Sequence, residues 1–320
     1  MSPPPPPPLG RPRRRGSRSG HFFDPALDDA RLAAVRDQLA QGRWSEARTL
    51  LAGTGDDWDR RGHRVVVLAR ASGAAAWTRD WLLAEPESVD AVTLLACATV
   101  VGALRGKESE QRARDACRDA IRRAPADPTP WLGLLLLART LGTEEETSQL
   151  FDEVRTRHPD HHHAHHLMAA RLAERSPEAG QDPLHEVYDF AAWAAEQAPA
   201  DSPLAILPVV AHAERYRVLA AAGHEPGDPA ASAHWTGRRA RQVLKVAFDW
   251  WLEWEAGEHP RGRVDLNFLA HAQFHDGRFA EAAALFQRIG PHQTPDPWSY
   301  PHRDPRTAFL AARDAALGSA

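Results

Sequence analysis

Six histidines occupy one short stretch of the chain, RHPDHHHAHHLM: His158, His161, His162, His163, His165 and His166. If this stretch is helical, His162 and His166 project from one face at the i, i+4 spacing that lets two imidazoles share a metal ion. A zinc site also needs a third ligand and a neighbour that orients the imidazoles. Asp160 or Glu174 can supply the third ligand or the orienting neighbour only if the fold brings one of them close to the two imidazoles. His158, His162 and His166 are therefore the candidate metal ligands, and their convergence on a carboxylate is the deciding observation.

The alternative is that these histidines are structural. In that case His165 fills a buried helix position that Trp131 occupies in the preceding segment, and the other histidines are solvated. Histidine-rich tracts are compositional signals, so we expect no bound metal and no cofactor. A second i, i+4 pair, His271 and His275, is followed by Asp276.

No catalytic motif accompanies the histidines. The segment LHEVYDF contains His185 and Glu186 but lacks the second histidine of an HExxH helix. The chain also lacks a GxSxG elbow and the glycine-rich loops that hold phosphates. We therefore predict that the protein is not an enzyme, and a metal-dependent enzyme remains the first alternative.

The elements that position these residues repeat along the chain. Pro125 and Pro159 lie 34 residues apart, each before an apolar helical segment, and the stretches QGRWSEARTLL and DGRFAEAAALF align without a gap. In both stretches a glycine precedes an aromatic residue by two positions, Gly42 before Trp44 and Gly277 before Phe279. This pattern predicts a tight interhelical turn followed by the second helix of a pair.

The 34-residue step and these positions resemble the tetratricopeptide-repeat (TPR) superfamily over about residues 30 to 290. The resemblance implies an all-α, right-handed α-solenoid of antiparallel helix pairs. The chain is also similar to an uncharacterised bacterial family of unknown function, through FDPALDDARLAAVRDQL and GDDWDRRGHR. That second similarity implies no mechanism.

The expected organisation has three parts. Residues 1–22 form a disordered, proline- and arginine-rich tail, residues 23–292 the helical repeats, and residues 293–320 a loop and a capping helix. No period-2 alternation predicts a strand. We expect Pro86, Pro125, Pro159 and Pro199 between helices, and a kink or break at Pro208.

Composition bounds the location and the partner. A net charge of −4 does not suggest nucleic-acid binding. No apolar run is long enough for a membrane span, and the two cysteines, Cys97 and Cys117, show no disulfide or zinc-knuckle pattern. We expect a cytoplasmic protein with no membrane partner.

The resemblance also implies which residues line the concave groove: Asp90, Thr93, Cys97, Thr129, Leu132, Leu136, Arg139, His163, His166 and Glu174. This set is mostly small and apolar. Only Asn267 matches the Lys and Asn set by which chaperone-binding members of the superfamily hold a peptide carboxylate. The sequence therefore favours a noncatalytic scaffold that binds some other protein or peptide, unless the chain's own helix at 232–255 covers the groove.

A nucleic-acid-associated regulatory protein is the remaining alternative. The segment RRARQVLKVAFDWWLEWEAG carries two apolar stripes, one of them through Val243, Val246 and Ala247, behind a basic stretch from Arg238 to Lys245. Exposure of that basic face beside Trp235 would favour this alternative. Tryptophans at helical spacing are more often core, so we expect protein rather than nucleic acid as the partner.

Overall fold

The computed structural model describes residues 23–175, 185–254 and 258–319. The predicted disordered tail, residues 1–22, lies outside the described residues. The described part forms the following helices: α1 (Ala30–Leu39), α2 (Trp44–Ala52), α3 (Trp58–Ala69), α4 (Ala74–Ala84), α5 (Val89–Leu104), α6 (Glu110–Arg123), α7 (Thr129–Leu141), α8 (Glu144–Arg157), α9 (His162–Ala173), α10 (Glu186–Gln197), α11 (Leu207–Ala221), α12 (Arg238–Glu253), α13 (Gly262–His275), α14 (Phe279–Ile289) and α15 (Pro305–Ser319).

The described residues contain no strand, and the predicted all-α solenoid fold is confirmed. Consecutive helices pack as pairs, and the odd-numbered helices α3, α5, α7, α9, α11 and α13 also pack on one another in order. Most side chains of these odd-numbered helices are buried, whereas even-numbered helices such as α6 keep an exposed charged face. The odd-numbered helices therefore form an inner layer and their partners an outer layer.

Proline and glycine set the register of the pairs, as predicted. Pro86, Pro125, Pro159 and Pro199 all lie in the loops between helices, where a missing N–H costs no helical hydrogen bond. Pro208 is the second residue of α11, directly after a 3₁₀ turn at Pro203–Ile206, so the expected break comes just before it.

The two Gly-Arg-aromatic stretches are structurally equivalent. Gly42 and Gly277 adopt left-handed backbone angles, with φ of 87° and 81°. Trp44 begins α2 and Phe279 begins α14. A side chain at either glycine would strain the turn, which accounts for the recurrence of this signal.

The inner layer curls tightly. Helix α3 contacts α9 as well as its neighbours α5 and α7. Arg263 Nε of α13 donates to Asp28 Oδ2 at 2.8 Å, although the two residues are 235 positions apart. The start of the solenoid therefore meets its last repeat, and residues distant in sequence share the enclosed space.

Two sequence-based burial assignments need correction. Trp131 is only partly buried, with the guanidinium of Arg157 stacked 4.6 Å above its ring, so it does not fill the deep position we assigned to it. In α12 the buried stripe is Ala240, Leu244, Ala247 and Trp251. Val246, which we placed on a covered stripe, is 59% exposed. The helix meets its neighbours through one face that takes residues from both predicted stripes, and Val246 lies outside that face.

Helix α15 packs mainly against α14 and to a lesser extent against α13. Among the described residues no helix is both long and apolar enough to span a lipid bilayer.

Trp81, which is fully buried and stacked on Trp44 at 5.8 Å between ring centroids, should be the stability-determining tryptophan. Trp81→Ala should lower the free energy of unfolding by about 3–5 kcal/mol, the usual cost of deleting a large core aromatic. Trp131→Ala should cost about 1–3 kcal/mol because its ring keeps solvent contact. Urea titration of both variants measures the difference, and an equal loss would contradict the placement of these two rings.

Candidate functional site

The carboxylate of Asp59 joins three distant segments of the chain. From the first turn of α3, its Oδ1 accepts the backbone N–H of His162 at 2.9 Å, and its Oδ2 lies 3.1 Å from His158 Nε2 and 3.5 Å from His259 Nε2. Burial alone would raise the pKa of Asp59, but hydrogen bonds with these histidines hold it well below its usual range. The carboxylate also satisfies a free N–H at the amino end of α9, where the helix dipole favours negative charge.

Gly62 lets α3 and α9 approach closely. A Cβ atom at Gly62 would lie 3.2 Å from His161 Nε2 and 3.3 Å from Leu132 Cδ2. Glycine in the middle of a helix is unfavourable by about 1 kcal/mol relative to alanine. This close contact explains why position 62, within the stretch GDDWDRRGHR, is a glycine.

His162 and His166 meet a carboxylate on α13. His162 Nε2 lies 2.8 Å from Asp265 Oδ2, and His166 Nε2 lies 3.1 Å from Asp265 Oδ1. All three side chains are buried, and one donor atom from each lies within 4.8 Å of the other two. The i, i+4 pair predicted from the sequence is real, and its carboxylate partner is 99 residues beyond His166.

The other sequence candidates for this cluster lie elsewhere. His158 binds Asp59 and does not join Asp265. Glu174 makes ion pairs with Arg139 at 3.1 Å and Arg217 at 2.9 Å. Neither Asp160 nor Glu174 supplies the carboxylate of this cluster, which comes from Asp265 on α13.

Most of the buried histidines in this region are neutral at pH 7. Burial lowers the pKa of His161 to about 4 and that of His162 to about 3. It also holds the pKa of His163 well below the ordinary value, with the charge of Arg261 adding to the effect. His158 is the exception, because its hydrogen bond to Asp59 raises its pKa.

An open cleft of about 1010 Å³ lies inside the curl of the solenoid. We call it the inner cleft. Its polar and charged lining comes from six elements and includes His63, Arg70, Arg139, His163, His166, Glu214, Arg217, Arg261, Asp296, Ser299, Tyr300 and Arg303. Cationic side chains outnumber the carboxylates in this set.

The carboxylates of the inner cleft already have partners. Glu214 accepts from Arg217 Nε at 2.8 Å and from the Tyr300 hydroxyl at 2.6 Å. Asp296 accepts from Ser299 Oγ at 2.8 Å, and burial raises its pKa. Glu214 is thus already neutralised by Arg217, whereas Asp296 is held by an uncharged hydroxyl.

Arg261 is the most exceptional of these cations. Its Nε is buried without a hydrogen-bond partner, and no carboxylate of the described residues forms an ion pair with it. Burial lowers its pKa to about 10; Asp265 opposes the shift and nearby Arg70 adds to it. Arg70 and Arg303 also line the cleft without an ion pair among the described carboxylates.

The predicted groove residues divide into three sets. Leu136, Arg139, His163 and His166 line the inner cleft. Thr93, Thr129 and Leu132 are buried within the helix layer. Cys97 is also buried but lines a separate cavity of about 270 Å³. Asp90 pairs with Arg61 at 2.7 Å, and Glu174 pairs with two arginines.

The sequence analysis missed the residues that define this region most clearly, namely Asp59, Asp265, His259, Arg261 and Arg70. They come from α3, α13 and the loop before α13. Asp59 and Arg70 lie at the two ends of α3, and His259, Arg261 and Asp265 lie in one short segment almost 200 residues later, so no local pattern joins the two groups. Only the curl of the inner layer brings them to the histidines.

The α12 alternatives do not form a site as expected. The basic residues from Arg238 to Lys245 are exposed, but Trp235 is buried with 1% of its surface accessible. Arg241 also pairs with Asp276 at 2.9 Å. Helix α12 packs on α11 and α13, and its residues do not line the inner cleft as a lid.

No protein-family model matches the chain, and no curated protein matches it. The similarity to an uncharacterised bacterial family therefore gains no support. Among solved structures, a monomeric mutant of IFIT1 with Gppp-AAAA is similar at 15% sequence identity and a TM-score of 0.42. The match covers 88% of this chain and 69% of that chain. It supports a TPR-like helical repeat fold at most.

This comparison corrects one expectation. We expected protein rather than nucleic acid as the partner, whereas the similar helical protein was solved with a nucleic-acid ligand, Gppp-AAAA. Setting nucleic acid aside was therefore wrong. What this chain binds has to be argued from its own side chains.

The buried histidines make stability dependent on pH. Burial lowers the pKa of several of them: His63, His162, His212 and His275 to about 3, and His161 and His165 to about 4. An unfolded chain binds these protons below a pH of about 6.5, and the folded chain does not. The free energy of unfolding should therefore fall as the pH drops from about 7 toward 4, by about 1.4 kcal/mol per pH unit for each histidine that stays neutral.

Urea denaturation at about pH 7.5, 6.5 and 5.5 measures this slope. His165→Phe, in a site flanked by Phe151 and Phe190, should reduce the slope. His224→Gln, at an exposed position, should leave it unchanged. Stability that is constant over this range would show that the histidines are protonated in the folded protein.

Proposed function

We propose that the protein is a noncatalytic solenoid that binds a phosphate-bearing ligand of the nucleotide class in the inner cleft. The observation that carries the proposal is the set of cleft arginines without carboxylate partners, with Arg261 at its centre. The buried Nε of Arg261 has no hydrogen-bond partner, which is unfavourable because this N–H has lost water and gained no hydrogen bond. An anion bound to Arg261 would accept the missing hydrogen bond and compensate for the lost water.

Phosphate suits this arrangement better than a lone carboxylate. Guanidinium groups bind phosphate oxygens through paired, charge-assisted hydrogen bonds. Arg70 lies close enough to Arg261 to lower the pKa of Arg261, after the larger effect of burial. Two cations that repel one another in the free protein favour a ligand carrying more than one negative charge.

The rest of the cleft supports a ligand with a planar, apolar part. Phe23, Leu136, Leu167, Phe268 and Tyr300 line the same space as the arginines. Aromatic faces stack on nucleobases, and the volume of about 1010 Å³ is large enough for a nucleotide. The cleft thus combines a cationic part with an apolar part.

The noncatalytic part of the proposal rests on the hydroxyl groups of the cleft. Ser299 Oγ donates to Asp296 Oδ1 at 2.8 Å, and Thr294 Oγ1 donates to the backbone oxygen of Asp296 at 2.5 Å. Neither hydroxyl is hydrogen-bonded to a histidine that would activate it as a nucleophile. These hydroxyl groups are therefore assigned a role in binding the ligand and not in a reaction.

Adenosine, AMP and ATP form a ligand series that tests the proposal. Calorimetric titration of the full chain should give affinities that rise with the number of phosphates and fall with salt. Arg261→Gln and Arg70→Gln should each weaken ATP binding at least about tenfold, the loss expected for a charged hydrogen bond. Arg118→Gln, on the exposed face of α6 and paired only with Asp115, is the matched control and should bind normally.

Three outcomes would contradict the proposal. They are equal affinity for adenosine and ATP, no binding of any member of the series, and tighter binding of an acidic peptide than of ATP. The last outcome would instead favour the protein or peptide partner suggested by the repeat pattern. Circular dichroism of Arg261→Gln checks that the variant is folded, and exposed Arg70 gives an independent measure if it is not.

A further inference from the structure

We propose that His162, His166 and Asp265 bind one divalent first-row transition ion of the zinc class. The site goes beyond the proposed function, because it uses different atoms and lies in the wall behind the inner cleft. The sequence analysis expected no metal and made the convergence of the histidines on a carboxylate the deciding observation. That convergence is present, with Asp265 as the carboxylate.

The geometry requires little rearrangement. His162 Nε2 lies 2.8 Å from Asp265 Oδ2, and His166 Nε2 lies 3.1 Å from Oδ1. Ligand atoms bound tetrahedrally to zinc at about 2.0–2.2 Å stand roughly 3.3–3.5 Å apart. Widening these contacts by a few tenths of an ångström creates the coordination space, and the histidines lie one turn apart on one helix.

The donor set indicates the class of ion. Two imidazoles and one carboxylate suit zinc and similar first-row ions better than calcium or magnesium, which prefer oxygen ligands. Three protein ligands leave at least one coordination position for water or another small ligand. The site is thus of the open kind.

The surrounding charges leave Asp265 short of a cation. Among the described residues, only the imidazoles of His162 and His166 lie within hydrogen-bond distance of its carboxylate. Arg261 lies close enough for Asp265 to affect its pKa but forms no ion pair with it. His259 packs on His162, with ring centroids 4.5 Å apart, and Asp59 adds negative charge behind it. A divalent ion would offset the two buried carboxylates, although Arg261 opposes it.

Solvent reaches the site from two sides. Asp265 lines a second cavity of about 430 Å³, together with His259, Arg64 and Trp251, and His166 lines the inner cleft. An ion can therefore reach ligands that are themselves buried. The loop and first turn of α13 separate the two cavities.

The second histidine pair provides an internal contrast. His271 and His275 have the same i, i+4 spacing, with ring centroids 4.5 Å apart. Aromatic rings surround them, and Trp298 lies 5.0 Å from His271. Asp276, the nearby carboxylate in sequence, is held by Arg241 and Arg278. The i, i+4 spacing of two histidines is therefore not sufficient for a metal site. The pair on α9 differs from the second pair because it faces the carboxylate of Asp265.

Zinc binding by tag-free, full-length protein tests the proposal. The protein is first stripped with a chelator and then titrated with zinc against a chromophoric chelator. We expect about one tightly bound equivalent. His166→Gln and Asp265→Asn should each weaken binding at least about tenfold, since each removes one of three ligands. Cobalt substitution should give the visible absorption of a low-symmetry site in the wild type and not in these two variants.

Two variants serve as controls. His275→Gln alters the histidine pair that has no carboxylate and should keep full zinc affinity. Arg70→Gln, which should lose ATP under the proposed function, should also keep its zinc, so failure of one proposal is distinguishable from failure of the other. Zinc should raise the melting temperature of both controls, because an ion that binds only the folded state stabilises it.

The proposal is overturned if the wild type binds no tight equivalent of zinc. It is also overturned if zinc binding survives in both His166→Gln and Asp265→Asn, or if His275→Gln abolishes it. Circular dichroism identifies a variant that fails to fold. If Asp265→Asn does not fold, His166→Gln decides the question, because it removes a ligand and leaves the hydrogen bond between His162 and Asp265 in place.

Discussion

The buried carboxylate of Asp59 is the interaction on which the geometry of this region depends. It caps the amino end of α9, bonds to His158 in the loop before it and faces His259 in the loop before α13. A solenoid is usually held together by contacts between neighbouring repeats. Here one charged group links the second, fifth and seventh helix pairs. Because a buried carboxylate needs several donors, its presence fixes the positions of all three segments together.

The contacts of Asp59 explain why the space inside the solenoid is divided into the inner cleft and the second cavity. The loop held by Asp59 ends at Arg261, the residue before α13, and Asp265 follows in the first turn of that helix. Arg261 lines the inner cleft and Asp265 lines the second cavity. One short segment thus places an unpaired cation on one side of a wall and a carboxylate between two imidazoles on the other. The anion-binding and metal-binding proposals draw on the same local fold through separate atoms.

The repeat architecture was predictable because short local sequence features specify its turns and loops. Gly42 and Gly277 mark equivalent turns, and Pro125 and Pro159 mark equivalent loops. The i, i+4 pair of His162 and His166 was also a local feature. Its carboxylate partner was not predictable, because which carboxylate reaches α9 depends on how tightly successive helix pairs rotate. That rotation is a sum of small packing angles, and no single segment encodes it. The exposure of Trp131 was missed for a related reason, since Arg157 of the next helix covers only part of the ring.

A core built around neutral histidines has a physical consequence that an apolar core would not have. Each imidazole needs a hydrogen-bond partner or leaves a polar nitrogen buried, and His162 Nδ1, His163 Nδ1 and both nitrogens of His271 lack partners among the described residues. Leucine or phenylalanine at these positions would avoid that cost. Around His271 the cost is offset only by contacts with aromatic rings. At His162 and His166 the carboxylate of Asp265 gives the imidazoles a second use, because the nitrogens that donate to it are also placed to bind an ion. His162 and His166 therefore differ in kind from the other buried histidines, since their Nε2 atoms both face one carboxylate.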